Sequence, residues 1–279
     1  MNKRKNVSEV ICFIEEHLTE KLDLDIVARG VHYSKYYLHR IFTNTVGLTI
    51  HDYVQRRQLT EAAKLLVFSE KPILDIALEA GYESQQAFTD SFKLMYKQPP
   101  NQFRRNEVFY PLQLKFEINE HLDLLNNKKV NLKPEICLAT KEDIPLWMEL
   151  VQHVIDGFPN LEEKKHMQVL KRYIDEKQAF IMKDETVAIG IMMLSHQTGS
   201  IDFLGIHPLF RNQGYTREFL DKAIREILNK RQISITTFRE GDKADTGYRK
   251  ALKELGFAEA ELLTEFGYPT QRMILSKEG

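Results

Sequence analysis

Cysteine is nearly absent: the 279 residues hold two, Cys12 and Cys137. Two thiols this far apart make neither a disulfide framework nor a cysteine-based metal cluster, and they fit a reducing cytoplasm. Long apolar runs are missing as well. No stretch approaches the ~20 apolar residues that a membrane-spanning helix needs. The start, MNKRKNVSEV, is basic, but Glu9, Glu15 and Glu16 interrupt any apolar core behind it, which argues against a signal peptide. One-sided charge is also lacking. Residues 1–107 carry 15 Lys/Arg against 14 Asp/Glu, the remainder 24 against 26, and the net charge is −1. Neither half is broadly basic, so any nucleic-acid contact must come from local placement of charge. The expectation is a cytoplasmic protein with no membrane partner and no metal.

What the chain does have is enough apolar content, 43%, for each half to bury a core. Residues 8–105 read as helix after helix. Ser8 is placed to cap a helix carrying Val10, Ile11, Ile14 and Leu18 inward. A short helix follows over Leu24–Arg29, and another starts at Ser34. Thr49 caps a long one to about Phe68, Pro72 and Ser84 start two more, and Pro99-Pro100 ends the run. FYPLQLKFEI alternates like a strand, and NNKKVNLKP reads as a turn or linker. From Glu135 the grammar changes. EICLA, QAFIM, TVAIGIMML, SIDFLGI, ISITTF, FAEAELL and QRMIL are short strands, interleaved with helical stretches. The expected division is an all-α domain over 1–107, a transition over 108–134, and a mixed α/β domain over 135–279.

The first half contains a repeat. Ser34, Leu38 and Phe42 are spaced four and four, as are Ser84, Phe88 and Phe92 fifty residues later. Each set follows a short helix and a tight turn. This is the plan of a helix-turn-helix, whose second helix presents its first side chains to the major groove. It explains the adjacent amides of YESQQAFTDSFK. Gln85 and Gln86 fall in the exposed first turn of the second such helix, where Gln suits adenine N6/N7 or a phosphate. The matching first-repeat positions are Lys35 and Tyr36, with His39 and Arg40 one turn on. Arg40 suits guanine O6/N7, and Lys35 suits a phosphate. The helix between the repeats is about 20 residues, or ~30 Å. Successive major-groove faces lie ~34 Å apart. One chain can therefore span both without dimerising.

These residues carry a resemblance. YSKYYLHRIFTNTVG, the connecting YVQRRQLTEAAKLL and PILDIALEAGYESQQAFTDSFKLMYKQPPNQFRR are similar to the DNA-binding domain of AraC/XylS-type transcription regulators. The resemblance implies two helix-turn-helix subdomains joined by a long helix, sequence-specific binding to double-stranded DNA, and RNA polymerase as a further partner. It carries base or backbone contact onto Lys35, Tyr36, His39, Arg40, Gln85, Gln86 and Thr89. Two residues depart from the pattern. His32 stands where the turn usually has Gly, although His is among the residues that tolerate positive φ. Asp90 stands where the subgroup often has Arg. A carboxylate repels phosphate yet can accept from cytosine N4, so the second half-site is expected to differ or to be held more loosely.

In the second half, SIDFLGIHPLFRNQGYTREFL runs strand, loop, helix, with Arg211, Asn212, Gln213, Gly214, Tyr215 and Thr216 at the junction. Backbone N–H groups at a helix start favour anions, and Gly lets a ligand approach the backbone. With a further strand and helix closing on Leu255-Gly256-Phe257, the order resembles the GCN5-related N-acetyltransferases (GNAT). That resemblance implies acetyl-CoA or CoA as cofactor, with its pyrophosphate on those six residues. The catalytic pattern is eroded. Thr216 replaces a small residue, and Leu252 stands where the family has the Tyr that protonates the leaving thiolate. Tyr248, one turn earlier, is the substitute acid. Asp202 is the candidate base, with His196 and His207 as alternatives. Phe158 and Tyr173 are candidate pocket walls, though ordinary packing accounts for both. Two functions stay open: a regulator whose GNAT-like domain senses CoA or a small-molecule effector, and a bifunctional regulator that acetylates a small amine or lysine.

Overall fold

The computed structural model describes residues 3–116, 134–154, 163–184, 187–228, 232–245, 247–265 and 268–276. Phe158, most of the expected transition segment, and the side chain of Asn212 lie outside the described residues. The chain divides into two compact units, residues 3–116 and 134–276 among those described. None of the described helices is long and apolar enough to cross a membrane.

Among the described residues the first unit has seven helices: α1 Lys3–Glu16, α2 Leu24–Gly30, α3 Lys35–Val46, α4 Ile50–Phe68, α5 Ile73–Glu79, α6 Gln85–Tyr96 and α7 Pro100–Asn106. Ser8 does not cap α1, which already runs from Lys3. Val7, Val10, Ile11 and Ile14 form one buried stripe, and stopping the helix at Ser8 would take Val7 out of it. Two apolar cores result. The first gathers Val10, Ile14, Val27, Leu38, Phe42 and Tyr53. The second gathers Leu59, Leu66, Ile76, Phe88, Phe92 and Phe103. Helix α4 serves both, which is why its polar residues Arg56, Arg57, Gln58 and Thr60 are buried as well.

Residues 109–116 form no strand, contrary to the alternation of FYPLQLKFEI. They are an extended strap laid along α4. Tyr110 and Leu112 enter the second core and Phe116 the first, where its ring stacks on Tyr53 at 5.6 Å. The inward side chains do alternate over much of this run, but the partner is a helix. The strap's amides go to side chains instead of a ladder. Leu112 and Gln113 N–H both donate to Thr60 Oγ1 at 3.1 Å, and Phe116 N–H donates to the Tyr53 hydroxyl at 3.4 Å.

A buried ionic network fastens the same place. Arg57 donates through Nε and Nη2 to both Glu15 oxygens at 2.8 and 2.7 Å, through Nη2 to Glu61 at 2.9 Å, and through Nη1 to the Gln113 carbonyl at 3.0 Å. Tyr53 donates to Glu15 at 2.9 Å. Burial, the largest single effect, would lower the Arg57 pKa, but the hydrogen bonds and charge of Glu15, with Tyr53 and Glu61, together outweigh it and the guanidinium is held charged. α1, α4 and the strap are thereby tied at one point.

The second unit is a seven-stranded sheet of order β1-β2-β3-β4-β5-β7-β6. Its strands are β1 Ile136–Leu138, β2 Ala179–Lys183, β3 Ala188–Leu194, β4 Ser200–Ile206, β5 Ile233–Phe238, β6 Ala258–Glu265 and β7 Tyr268–Leu275. All seven fall where the sequence places them. Every pairing is antiparallel except β4 with β5. Helices α8 Ile144–Val154, α9 Glu163–Asp175, α10 Tyr215–Ala223 and α11 Tyr248–Glu254 accompany the sheet. β3 is buried along its whole length. A Cβ on its Gly190 would stand 2.4 Å from the Phe219 ring, so α10 rests directly on bare backbone there.

Candidate functional site

The two turns before α3 and α6 close with the same backbone bonds. Tyr33 N–H reaches Ala28 carbonyl and Tyr82 N–H reaches Ala77 carbonyl, each at 3.0 Å. This closure needs a left-handed residue one position earlier. Gly81 supplies it at φ 77°, and His32 does so at φ 58°. His32 is thus the counterpart of Gly81. Ser34 and Ser84 then cap the next helices, accepting from Tyr37 N–H at 3.4 Å and Ala87 N–H at 3.2 Å. The second turn holds one extra residue, Glu83, which pairs with Lys21 of the first subdomain at 2.7 Å.

Both helices bury one face and leave the other to solvent. On α3, Leu38, Ile41 and Phe42 face the core while Lys35, Tyr36, His39 and Arg40 are exposed. Tyr36 is 84% exposed, a large aromatic with no core role. Lys35 pairs with Asp25 at 2.7 Å, and the carboxylate raises its pKa; at half exposure such a pair is weak enough to be exchanged for a phosphate. On α6, Phe88 and Phe92 are buried while Gln85 and Gln86 are exposed and Thr89 is half-buried. Gln86 Nε2 donates to both oxygens of Asp90 at 3.1 Å, a contact the sequence reading did not anticipate.

In the second unit β4 and β5 are in register only at Ser200–Ser234 and Ile201–Ile235. Toward their carboxyl ends, the usual ligand position in such sheets, the two parallel strands form no further register pairs among the described residues. Pro208–Gln213 forms a 3-10 turn after β4, and Gly214 at φ 86° starts α10. The first α-helical bond runs from Glu218 N–H to the Gly214 carbonyl at 3.2 Å, so the amides of Tyr215, Thr216 and Arg217 precede it. A Cβ on Gly214 would meet nothing within 4 Å, so the space over this helix start is open. Arg211, Tyr215 and Thr216 are half-buried and Gln213 is exposed. The junction therefore suits a phosphate-bearing ligand such as CoA.

The candidate chemistry is not assembled in the same way. Asp202 accepts from the Tyr173 hydroxyl and from Ser200 Oγ, the latter at 2.6 Å. Tyr173 is accordingly buried and engaged, and its pKa is raised by burial and by Asp202. The Tyr248 hydroxyl is buried without a hydrogen-bond partner among the described residues, and burial raises its pKa. No hydrogen bond joins Asp202 to Tyr248 among the described residues. Leu252 is fully buried, and Asp245 caps α11 by accepting from Tyr248 N–H at 2.9 Å. His207 is buried against Phe210 and His153, at 5.5 and 5.8 Å between rings, and His196 N–H donates to Gln178. Trp147 donates its indole N–H to His166 Nε2 at 3.2 Å, an interior bond between two side chains 19 residues apart that no short motif signals. Burial pushes His166 down to about 4.

A family model described as a helix-turn-helix domain matches residues 27–106, and one for the acetyltransferase (GNAT) family matches residues 147–257. The chain is 38% identical over 104 residues to the regulatory protein SoxS of Escherichia coli K12, a stretch covering 37% of this chain and 97% of SoxS. It is 40% identical over 103 residues to the transposon Tn10 TetD protein of Escherichia coli, covering 37% of this chain and 75% of TetD. Among solved structures, a GNAT-family acetyltransferase from Bacillus cereus aligns over 53% of this chain and all of its own, at 16% identity and a TM-score of 0.41.

Proposed function

Given that the chain belongs to the AraC-type helix-turn-helix transcription regulators and carries a GNAT-family domain after its DNA-binding unit, we propose that it reads two adjacent major-groove segments of double-stranded DNA with α3 and α6 while the GNAT-like domain senses CoA, acetyl-CoA or a small-molecule effector. In this reading Arg40 and Gln86 address base edges. Lys35, Tyr36, His39, Gln85 and Thr89 position the helices on backbone and flanking bases. The protein works in the cytoplasm, needs no dimer to reach both segments, and acts on RNA polymerase.

For the second unit, the observation that carries the reading is the contrast between binding parts and chemical parts. The short β4/β5 register and the open Gly214 helix start suit the pyrophosphate of CoA, with Arg211, Asn212, Gln213, Tyr215 and Thr216 along the junction. Asp202, by contrast, is engaged by two hydroxyls, and burial moves Tyr248 away from the range in which a general acid works best. A sensor needs binding without turnover. For DNA control, the ligand must bind the DNA-competent and incompetent states with different affinity.

Titration calorimetry with CoA, and DNA affinity measured with and without CoA, test this. Saturable binding that changes DNA affinity supports the sensor. Binding with identical DNA affinity refutes ligand control. The unpartnered Tyr248 hydroxyl favours a second reading, an N-acetyltransferase using Tyr248 as acid and Asp202 as base. Turnover of acetyl-CoA with an amine panel, lost in Tyr248→Phe, would establish it.

A further inference from the structure

We propose that Asp90 is a positioning residue for base recognition. It holds the Gln86 amide in the one orientation that presents its oxygen outward, so that α6 selects a base edge bearing an amino group over one bearing a carbonyl. The proposal rests on α6 being a base-reading helix.

The argument begins with the chemistry of the pair. Gln86 and Asp90 are four apart on the exposed face of α6, the spacing at which helix side chains meet. Gln86 Nε2 stands 3.1 Å from both Asp90 oxygens. An ionised carboxylate accepts and cannot donate, so the amide atom against it must be nitrogen. The orientation of this amide is therefore set by its neighbour. The two oxygens of a carboxylate subtend a smaller angle at that nitrogen than the two amide hydrogens do. A single N–H points between them, and Oε1 and the second N–H stay free, the pair that matches adenine N6 and N7.

In the major groove, adenine N6 and cytosine N4 are donors, whereas guanine O6 and thymine O4 are acceptors. An amide unconstrained by a neighbour turns over and suits either class. With Asp90 beside it, the turned-over form, which alone offers both amide hydrogens outward, would set Oε1 against a carboxylate, whereas in the held form guanine's O6 would face Oε1 and the Asp90 carboxylate, both acceptors. Asp90 thus subtracts the carbonyl-bearing edges from what Gln86 tolerates, a specificity element that acts by repulsion.

The test is site selection on random DNA with the full-length chain, followed by anisotropy titrations on four duplexes differing at the base pair that Gln86→Ala perturbs. The native chain should favour an amino-bearing base there by roughly fivefold or more, and Gln86→Ala should flatten the preference. Asp90→Ala and Asp90→Asn should bring the ratio at that same pair to within about twofold of unity. Asp90→Glu should keep it. In the Gln86→Ala background Asp90→Ala should change nothing further at that pair. An unchanged ratio in Asp90→Ala, or an equal effect with and without Gln86, overturns the positioning role. If Gln86→Ala alters preference at no base pair, the failure lies with α6 as a base-reading helix, and the proposal falls with it.

Discussion

Thr60 should be the residue on which the first unit's integrity turns. Its hydroxyl uses its whole capacity: it donates to the Arg56 carbonyl at 2.8 Å and accepts the Leu112 and Gln113 amides at 3.1 Å each. All three partners are buried. Thr60→Val keeps the shape and strands two amides. Each stranded amide costs about 1–3 kcal/mol, and some relief comes as the strap shifts, so the loss should be about 2–4 kcal/mol. The donation to Arg56 adds little, because that is a back-bond within the helix. For a unit of this size a loss of 1 kcal/mol lowers the melting temperature by roughly 4 °C, which gives a drop of roughly 8–16 °C. The measurement can be confined to the first unit. The chain has one tryptophan, Trp147, and it lies in the second unit. Far-UV circular dichroism follows the helices, most of them in the first unit, and tryptophan fluorescence follows the second unit alone, so a dichroism transition that shifts without the fluorescence one belongs to the first unit. Thr60→Ser should behave almost like the native chain. A helical transition unmoved by Thr60→Val, or moved as far by Thr60→Ser, would refute the accounting.

The left-handed His32 makes a second prediction: His32→Gly should stabilise the first unit by about 1 kcal/mol, and His32→Val should destabilise it by at least as much, in urea titrations. His166 makes a third. Its folded pKa is about 4, below the unfolded value near 6.5, so between those pH values the unfolded chain takes up a proton that the native one refuses. The second unit's stability should therefore fall by up to about 3 kcal/mol as pH drops from 6.5 to 4, seen in Trp147 fluorescence, and His166→Gln should flatten that slope. Gly214→Ala should weaken CoA binding roughly tenfold in calorimetry. The added methyl meets no protein atom, so the loss would come from crowding the ligand and from the strained φ of 86°, about 1–2 kcal/mol.

The parts of this protein that its sequence disclosed are those held by short-range bonds. Ser34 and Ser84 accept from amides three residues on, and the turns before them close over five residues, so spacing alone locates α3 and α6. The seven strands were legible because apolar runs broken by Gly and polar residues need only local pattern. The strap was not. Its acceptors, Thr60 and Tyr53, lie 52 and 63 residues from the amides they satisfy, and an alternating run with no visible partner reads as a strand. Ser8 failed for the opposite reason: a good local cap was overridden by the packing of Val7. Asp202 lies on β4, but Tyr173, 29 residues earlier, which engages it, was beyond any motif. The Gln86–Asp90 contact belongs with the legible group, since four residues on a helix is a spacing the sequence displays outright. Reading Asp90 as a direct contact treated each side chain of α6 as an independent probe of the DNA. A carboxylate one turn below an amide alters what that amide can offer before any base arrives, so base preferences along a recognition helix are set by neighbouring pairs of side chains as much as by single ones.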